Sequence, residues 1–451
     1  SELEQAHAEL MNVEDNKQLP HVFNPTRSSL RLFGTPEKDV RVVFWRDSAA
    51  WCPYCMKTQL FLEESCIPYR VEWVNMNSYG SKPMRFLRMN PRGLLPVMEL
   101  SGEVIADSDQ IISSLEQERF AGSVELLPPL GDPRRSNAID LIGLASRVQQ
   151  AWLSWLRSPV NDGACKQEMI DRLDEVEAAL AVYTGPFLLG SFSLVECHMA
   201  PVLERAAASL AYFKGFFVRA RPDDAGIGGD WTREETEWNR WPLLQRWFVA
   251  LEERPSYRSL SGDFYTHVHD LPPQLGSCAR NGHGNACEAH IDGLNGSDAW
   301  SLPLPDVDPF EPLPCGQGMQ AARLEAAEAL LRNRTAVTAF ALRALALPGF
   351  PPAGADLADP NASVAIPGES SDWVLVDCAL RQLVALLLHH GGAAVKRHHL
   401  PAELFAGEEG VADRWRECLR YLQRRVGVPR DMGAAAARQL RAHIGACGLC
   451  T

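Results

Sequence analysis

From residue 40 to residue 120, short strand-like and helix-like runs alternate in an order that few folds accommodate. "VRVVFW" is a continuous apolar run of the kind a buried strand carries. "CMKTQLFLEESC" follows, with Met56, Leu60 and Phe61 on one helical face. "YRVEWVNM" has the β-branched and aromatic content of a second strand. "KPMRFLRMNP" reads as a short helix closed by Pro91. "LLPVMEL" and "EVIADS" read as two further strands joined through Ser101-Gly102, and "SDQIISSLEQERF" as a closing helix. The order is β-α-β-α-β-β-α, with a cysteine pair, "CPYC", at the first strand-to-helix turn.

That position matters chemically. A cysteine at a helix N-terminus faces unpaired backbone N–H groups and the positive end of the helix dipole, and both favour thiolate over thiol. Cys52 takes that end, while Cys55 lies one turn further in. Pro53 suits the first helical position, where no N–H is needed. Cys52 is therefore the candidate nucleophile and Cys55 the candidate resolving thiol. A zinc site would need a second ligand pair, and none follows with suitable spacing before residue 125. Two inert buried thiols are the plainer alternative.

The rest of the chain divides by composition. With 451 residues, two or three domains are expected. Residues 1–38 form a polar, irregular N-terminal arm, and 39–125 hold the alternating pattern. Residues 132–268 are helical in character throughout, 269–318 read as a Pro/Gly-rich linker, and 319–451 as a helical C-terminal extension. The net charge of −13 argues against a broad nucleic-acid surface. Twelve cysteines in this length do not make a disulfide scaffold, and a reducing compartment fits them best. The most apolar run, "WVLVDCALRQLVALLL", carries Asp377 and Arg381 and reads as a core helix, so no membrane span is expected.

With these residues in view, the order of elements resembles the thioredoxin-like arrangement, and 40–264 resembles a cysteine-type glutathione transferase. The fold class implied is α/β plus all-α: a thioredoxin-like N-terminal domain, an all-helical transferase domain and an additional, mainly helical C-terminal domain. Beyond "CPYC", three motifs carry the resemblance. In "GLLPVMEL", Pro96 is similar to the family's cis-proline, which would let the Leu95 backbone pair with glutathione. In "ADSDQI", Asp107 and Ser108 match the acidic-serine pair that holds the γ-glutamyl end, with a plain helix cap as the alternative. In "GSFSLVECHMAPVLERA", Ser193 and Glu196 form a capping box with a structural role.

The resemblance implies glutathione as co-substrate, with Trp51, Pro53, Tyr54, Lys82 and Arg85 joining those residues around it. A cysteine in place of the usual Tyr or Ser implies reduction through a mixed disulfide: deglutathionylation, disulfide reduction or dehydroascorbate-type reduction. "CPxC" with a C-terminal extension containing "RRVGVPRDMGAAAARQLRAHI" is similar to the iota class of photosynthetic organisms, although Tyr54 stands where that class usually has Trp. A plastid location follows from that resemblance; a cytoplasmic one is the alternative.

Other features have weaker claims. Trp152 and Trp155 are candidates for an acceptor-pocket wall, with helix packing as the alternative. Cys278, His283, Cys287 and His290 fall within thirteen residues of a Gly/Asn-rich loop and are a weak zinc candidate whose spacing fits no usual finger. "CGLC" at Cys447 and Cys450 is a second thiol pair, and "KRHHL" a small basic cluster. The rival to an enzyme is a scaffold or assembly subunit of a larger plastid complex, docking through the arm and the extension.

Overall fold

The computed structural model describes residues 28–118, 120–219, 240–294, 300–316, 318–355, 357, 371–389 and 411–446. "CGLC", "KRHHL" and most of the N-terminal arm lie outside the described residues. Among the described residues the fold divides into two compact units, one of residues 28–77 and 81–288, the other built on Ala289–Thr451.

The first unit begins with a five-stranded sheet in the order β1-β3-β2-β4-β5. Strand β1 is Leu30–Arg31, β2 Val42–Asp47, β3 Tyr69–Val74, β4 Val97–Leu100 and β5 Glu103–Ala106. Strands β2 and β3 run parallel, in register from Val42 opposite Tyr69 to Asp47 opposite Val74. This parallel pair needs a crossover, which helix α1 (Pro53–Glu64) supplies. The other pairings are antiparallel. The central strand β2 is buried on both faces, and Val42 and Phe44 are fully enclosed. Its end delivers Asp47 and the cysteine turn to one edge of the sheet. Helices α2 (Met84–Met89) and α3 (Ser108–Glu118) complete the thioredoxin-like domain. The two-residue β1 was not legible because it is too short to show periodicity.

The helical half contains α4 (Arg134–Arg157), α5 (Asp162–Leu180), α6 (Leu194–Lys214), α7 (Pro242–Glu252), α8 (Pro255–Leu260) and α9 (Phe264–Leu275). Its centre is α6, where every residue except His198 is buried. Helix α6 opens with the capping box expected from Ser193 and Glu196. It ends at Gly215, whose φ of 63° is the left-handed C-terminal geometry. A Cβ at Gly215 would fall 2.3 Å from the His283 carbonyl oxygen, so glycine is required for the loop after α9 to close on this helix.

The segment read as a linker is more structured than its composition implied. It contains the end of α9 and all of α10 (Asn285–Ile291). The boundary between the two units falls inside α10.

The second unit packs α11 (Gln320–Arg332), α12 (Arg334–Leu342), α13 (Ser371–His389), α14 (Val411–Arg425) and α15 (Ala434–Ile444) around one apolar core that includes Phe340, Leu383, Trp415 and Leu440. The Ala/Leu-rich run over residues 321–347 is interrupted at Asn333, whose φ/ψ of −108°/18° is not helical. The core is edged by a buried ion network. Asp308 accepts from Arg438 at 2.6 Å and pairs with His290 Nε2 at 2.9 Å. Burial pushes the Asp308 carboxyl up, but Arg438 and His290 outweigh it and hold it below the usual carboxylate range. Among the described residues no helix is long and apolar enough to cross a membrane.

Candidate active site

Cys52 occupies the N-cap of α1, with Pro53 as first helical residue. Cys55 faces it one turn on. Cys52 is 8% exposed and Cys55 fully buried. The Cys55 thiol donates to Cys52 and so lowers the Cys52 pKa, against burial and the negative Asp47, which raise it. Burial and the same hydrogen bond push the Cys55 thiol well up. Cys52 is thereby the more acidic thiol of the two and Cys55 the less acidic, an asymmetry that suits nucleophile and resolver.

Asp47 was not singled out in the sequence, yet it organises the turn. It is fully buried at the end of β2, and its Oδ2 accepts the backbone N–H groups of Trp51 at 2.6 Å and Cys52 at 3.0 Å. Its Oδ1 accepts from Arg46 at 3.1 Å. A ligand oxygen of Asp47 and the two sulfurs lie within 4.8 Å of one another. Both Asp47 oxygens are already engaged by N–H donors. The available signal was an acidic residue ending an apolar strand five positions before the first cysteine.

The other expected site residues are placed as follows. The Leu95–Pro96 peptide is cis, and Pro96 is buried at the start of β4. Tyr54 is 45% exposed, and its hydroxyl accepts from Gln149 Nε2 of α4 at 2.9 Å. Trp51 is buried beneath the turn. Lys82 is half-buried, its ammonium 5.6 Å from the Phe86 ring centroid; burial lowers its pKa, opposed by the negative charges of Cys55, Cys52 and Asp47. Asp107, with a φ of 85°, accepts the N–H groups of Asp109 at 2.9 Å and Gln110 at 3.3 Å. The helix cap is thus Asp107, and Ser108 is the first, buried, residue of α3.

Three further sets of candidates are placed as follows. Arg85 is turned to the strands: it lies 3.6 Å from Glu99 and 4.8 Å over the Trp45 ring, where a cation finds both a carboxylate and a π-face. Trp152 and Trp155 wall no open pocket, because both are 1% exposed with their indole N–H groups donated inside the helical half, to Ser209 Oγ at 2.8 Å and Asp162 Oδ1 at 2.7 Å. The side chains of Cys278, His283, Cys287 and His290 do not gather into a ligand group among the described residues. His290 is engaged by Asp308. The Gly/Asn-rich loop is ordered by backbone and amide bonds instead, with Ala279 N donating to Leu156 O at 2.7 Å and Asn281 Nδ2 to Asp162 Oδ2 at 3.0 Å.

Beside the site, Lys57 donates to Asp109 Oδ1 at 2.6 Å, and His198 Nε2 lies 3.7 Å from the same oxygen. Burial, then the Lys57 charge, depress the His198 pKa from 6.5 to about 4, against Asp109. The unfolded chain therefore takes up a proton near pH 6.5 that the folded chain refuses until about pH 4. Stability contributed by neutral His198 is complete above that window and is lost as pH falls through it, by about 3 kcal/mol at most. Melting temperature measured from pH 7 to pH 4 is expected to fall less steeply in His198→Gln than in the wild type; parallel curves would refute the assignment.

Residues 51–118 match the family model described as "Glutathione S-transferase, N-terminal domain". The chain is 30% identical over 169 residues to "Glutathione S-transferase DHAR2" of Arabidopsis thaliana, covering 37% of this chain and 72% of that protein. It is 27% identical over 168 residues to "Glutathione S-transferase DHAR3, chloroplastic" of the same plant, covering 37% of this chain and 59% of that one. It thus spans little more than half the length of this second relative. Among solved structures, glutathione transferase Omega 3C from Trametes versicolor is similar at 22% identity with a TM-score of 0.39, over 49% of this chain and 85% of that one.

Proposed function

This chain belongs to the glutathione S-transferase family, and we propose that within it the protein is a glutathione-dependent thiol transferase and reductase acting through Cys52. The observation that carries the reading is the Cys52 sulfur at the N-terminus of α1, receiving a hydrogen bond from the Cys55 thiol. The glutathione site comprises Trp51, Pro53, Tyr54, Leu95, Pro96, Asp107, Ser108 and Lys82.

The Cys52 thiolate attacks the glutathione sulfur of a mixed disulfide, and the acceptor leaves as a thiolate that takes a proton from water. A second glutathione thiolate then attacks the glutathione sulfur of the enzyme mixed disulfide, regenerating the Cys52 thiolate and releasing glutathione disulfide. In a dithiol route the Cys55 sulfur attacks Cys52 Sγ instead, its proton going to the glutathione thiolate that leaves, and two further glutathione thiols reduce the Cys52–Cys55 disulfide and depart as glutathione disulfide. With dehydroascorbate as acceptor, two glutathione thiols supply its two electrons. "CPYC" and the unit built on Ala289–Thr451 support an iota-class assignment, and with it a plastid location. That extra unit also favours a second reading, a docking role in a larger assembly.

The test is turnover of a glutathionylated peptide with glutathione as reductant, in the wild type and Cys55→Ser. A monothiol route predicts that Cys55→Ser keeps turnover within ~10-fold, the loss reflecting a higher Cys52 pKa. Near-complete loss would assign the dithiol route. Wild-type protein that neither turns over nor binds glutathione overturns the enzyme reading.

A further inference from the structure

Arg205 comes from the middle of α6, 154 residues after Trp51, yet its guanidinium is directed at the cysteine turn. Nε and Nη2 both donate to the Trp51 carbonyl oxygen, at 3.1 and 2.5 Å. Nη1 donates to the Pro201 carbonyl at 3.0 Å and lies 3.3 Å from Met56 Sδ. The side chain is 1% exposed and stacks 5.5 Å from the Trp51 ring centroid.

A guanidinium buried so deeply is unfavourable unless negative groups face it. Its sequence neighbour Glu204 is an incomplete partner. Glu204 Oε1 accepts from Gly262 N at 2.7 Å and pairs with His267 Nε2 at 2.7 Å, while its Oε2 stands 3.7 Å from Arg205 Nη1. The other negative charges that Arg205 feels are those of Cys52 and Asp47, with Tyr257 of α8 adding to them when ionised. Around Cys52 itself the charged groups are Asp47 and Arg46 of β2, Cys55 of α1, Lys82 before α2 and Arg205 of α6.

The peptide joining Trp51 to Cys52 is consequently gripped on both edges. Its N–H is held by Asp47 Oδ2 and its carbonyl oxygen by the Arg205 fork. A peptide unit is planar, so fixing both edges fixes the direction in which the chain leaves for Cys52.

We propose that Arg205 is a positioning residue for the nucleophile: it clamps the Trp51 carbonyl from the helical half, so that Cys52 stays at the N-terminus of α1, and its charge stabilises the thiolate beside Asp47. The proposal rests on Cys52 being the nucleophile. Its conformational part needs the two-donor fork, and its electrostatic part needs only the positive charge, so the two separate on substitution.

The experiment is alkylation of the full chain by iodoacetamide across pH 5 to 10, quantified on the Cys52 peptide by mass spectrometry and paired with turnover and thermal melts, in the wild type, Arg205→Lys and Arg205→Met. Arg205→Met is expected to raise the apparent Cys52 pKa by about one unit, slowing alkylation below it by ~10-fold. Arg205→Lys keeps the charge and loses the fork, so its alkylation profile stays near the wild type while turnover drops by ~10-fold. If Arg205→Met does not fold, Arg205→Lys decides: wild-type profile with wild-type turnover overturns the clamp. A folded Arg205→Met with an unchanged alkylation profile overturns the electrostatic part and with it the proposal. An ordinary thiol profile for Cys52 in the wild type would instead refute the nucleophile reading on which the clamp rests.

Discussion

Cys52→Ser is expected to lower glutathione-dependent turnover by at least ~10³-fold while leaving the melting temperature within a few degrees of the wild type. The sulfur is the atom that exchanges. A serine hydroxyl in the same place is not ionised at neutral pH and forms no mixed disulfide. The surrounding structure gives little reason for a stability loss, since the turn is held by backbone bonds from Trp51 and Cys52 to Asp47 and not by the Cys52 side chain. Mass spectrometry after incubation with glutathione disulfide gives a second readout, a glutathione adduct on Cys52 in wild type and none there in the variant. Retained turnover in Cys52→Ser would move the chemistry to another thiol and overturn the reading of this site.

The largest stability effect is expected at Glu196, which touches none of the proposed chemistry. Its carboxylate is fully buried and accepts three hydrogen bonds: Leu188 N at 2.8 Å, Ser193 N at 2.9 Å and Ser193 Oγ at 2.7 Å. Glu196→Ala removes the acceptor and leaves these donors enclosed with a cavity, a loss of about 3–5 kcal/mol. For a unit of this size that corresponds to a fall in melting temperature of about 10 °C. Ser193→Ala, which removes the other half of the capping box, is expected to cost about 1–2 kcal/mol. Thermal melts of both variants check the order. Equal effects would mean that the box acts only as a helix cap and that the bond to Leu188 contributes nothing.

Much of the thioredoxin-like half was legible because its signals are local. The run over Val42–Asp47, the helix opened by Pro53 and the strands after it announce themselves by periodicity and by turn residues. The capping box was readable for the same reason: its partners are three residues apart, and their bonds depend on local geometry alone. Less was legible where a residue's type suggests a role and its direction is set by other elements. Trp152 and Trp155 are aromatic and three apart on a helix, but helical spacing does not say whether that face meets a pocket or the protein interior. Arg85 precedes the right strand, but its partners Glu99 and Trp45 come from two other strands, which local spacing does not record. The apolar Ala/Leu run after residue 320 has no glycine or proline at Asn333, so its break was invisible in composition.

The sequence by itself determined the identity of the nucleophile's surroundings along the chain: a strand, a cysteine at a helix N-cap, a proline at the first helical position, a second thiol one turn later. These follow from backbone geometry within a dozen residues. Tertiary structure alone decided what lies beneath that turn. Asp47 reaches it because β2 is central and ends there, and Arg205 reaches it because α6 of the helical half packs against α1. The reason is physical: a buried charge is tolerated only where partners from other elements meet it, and no pattern read along one segment records which partners those will be.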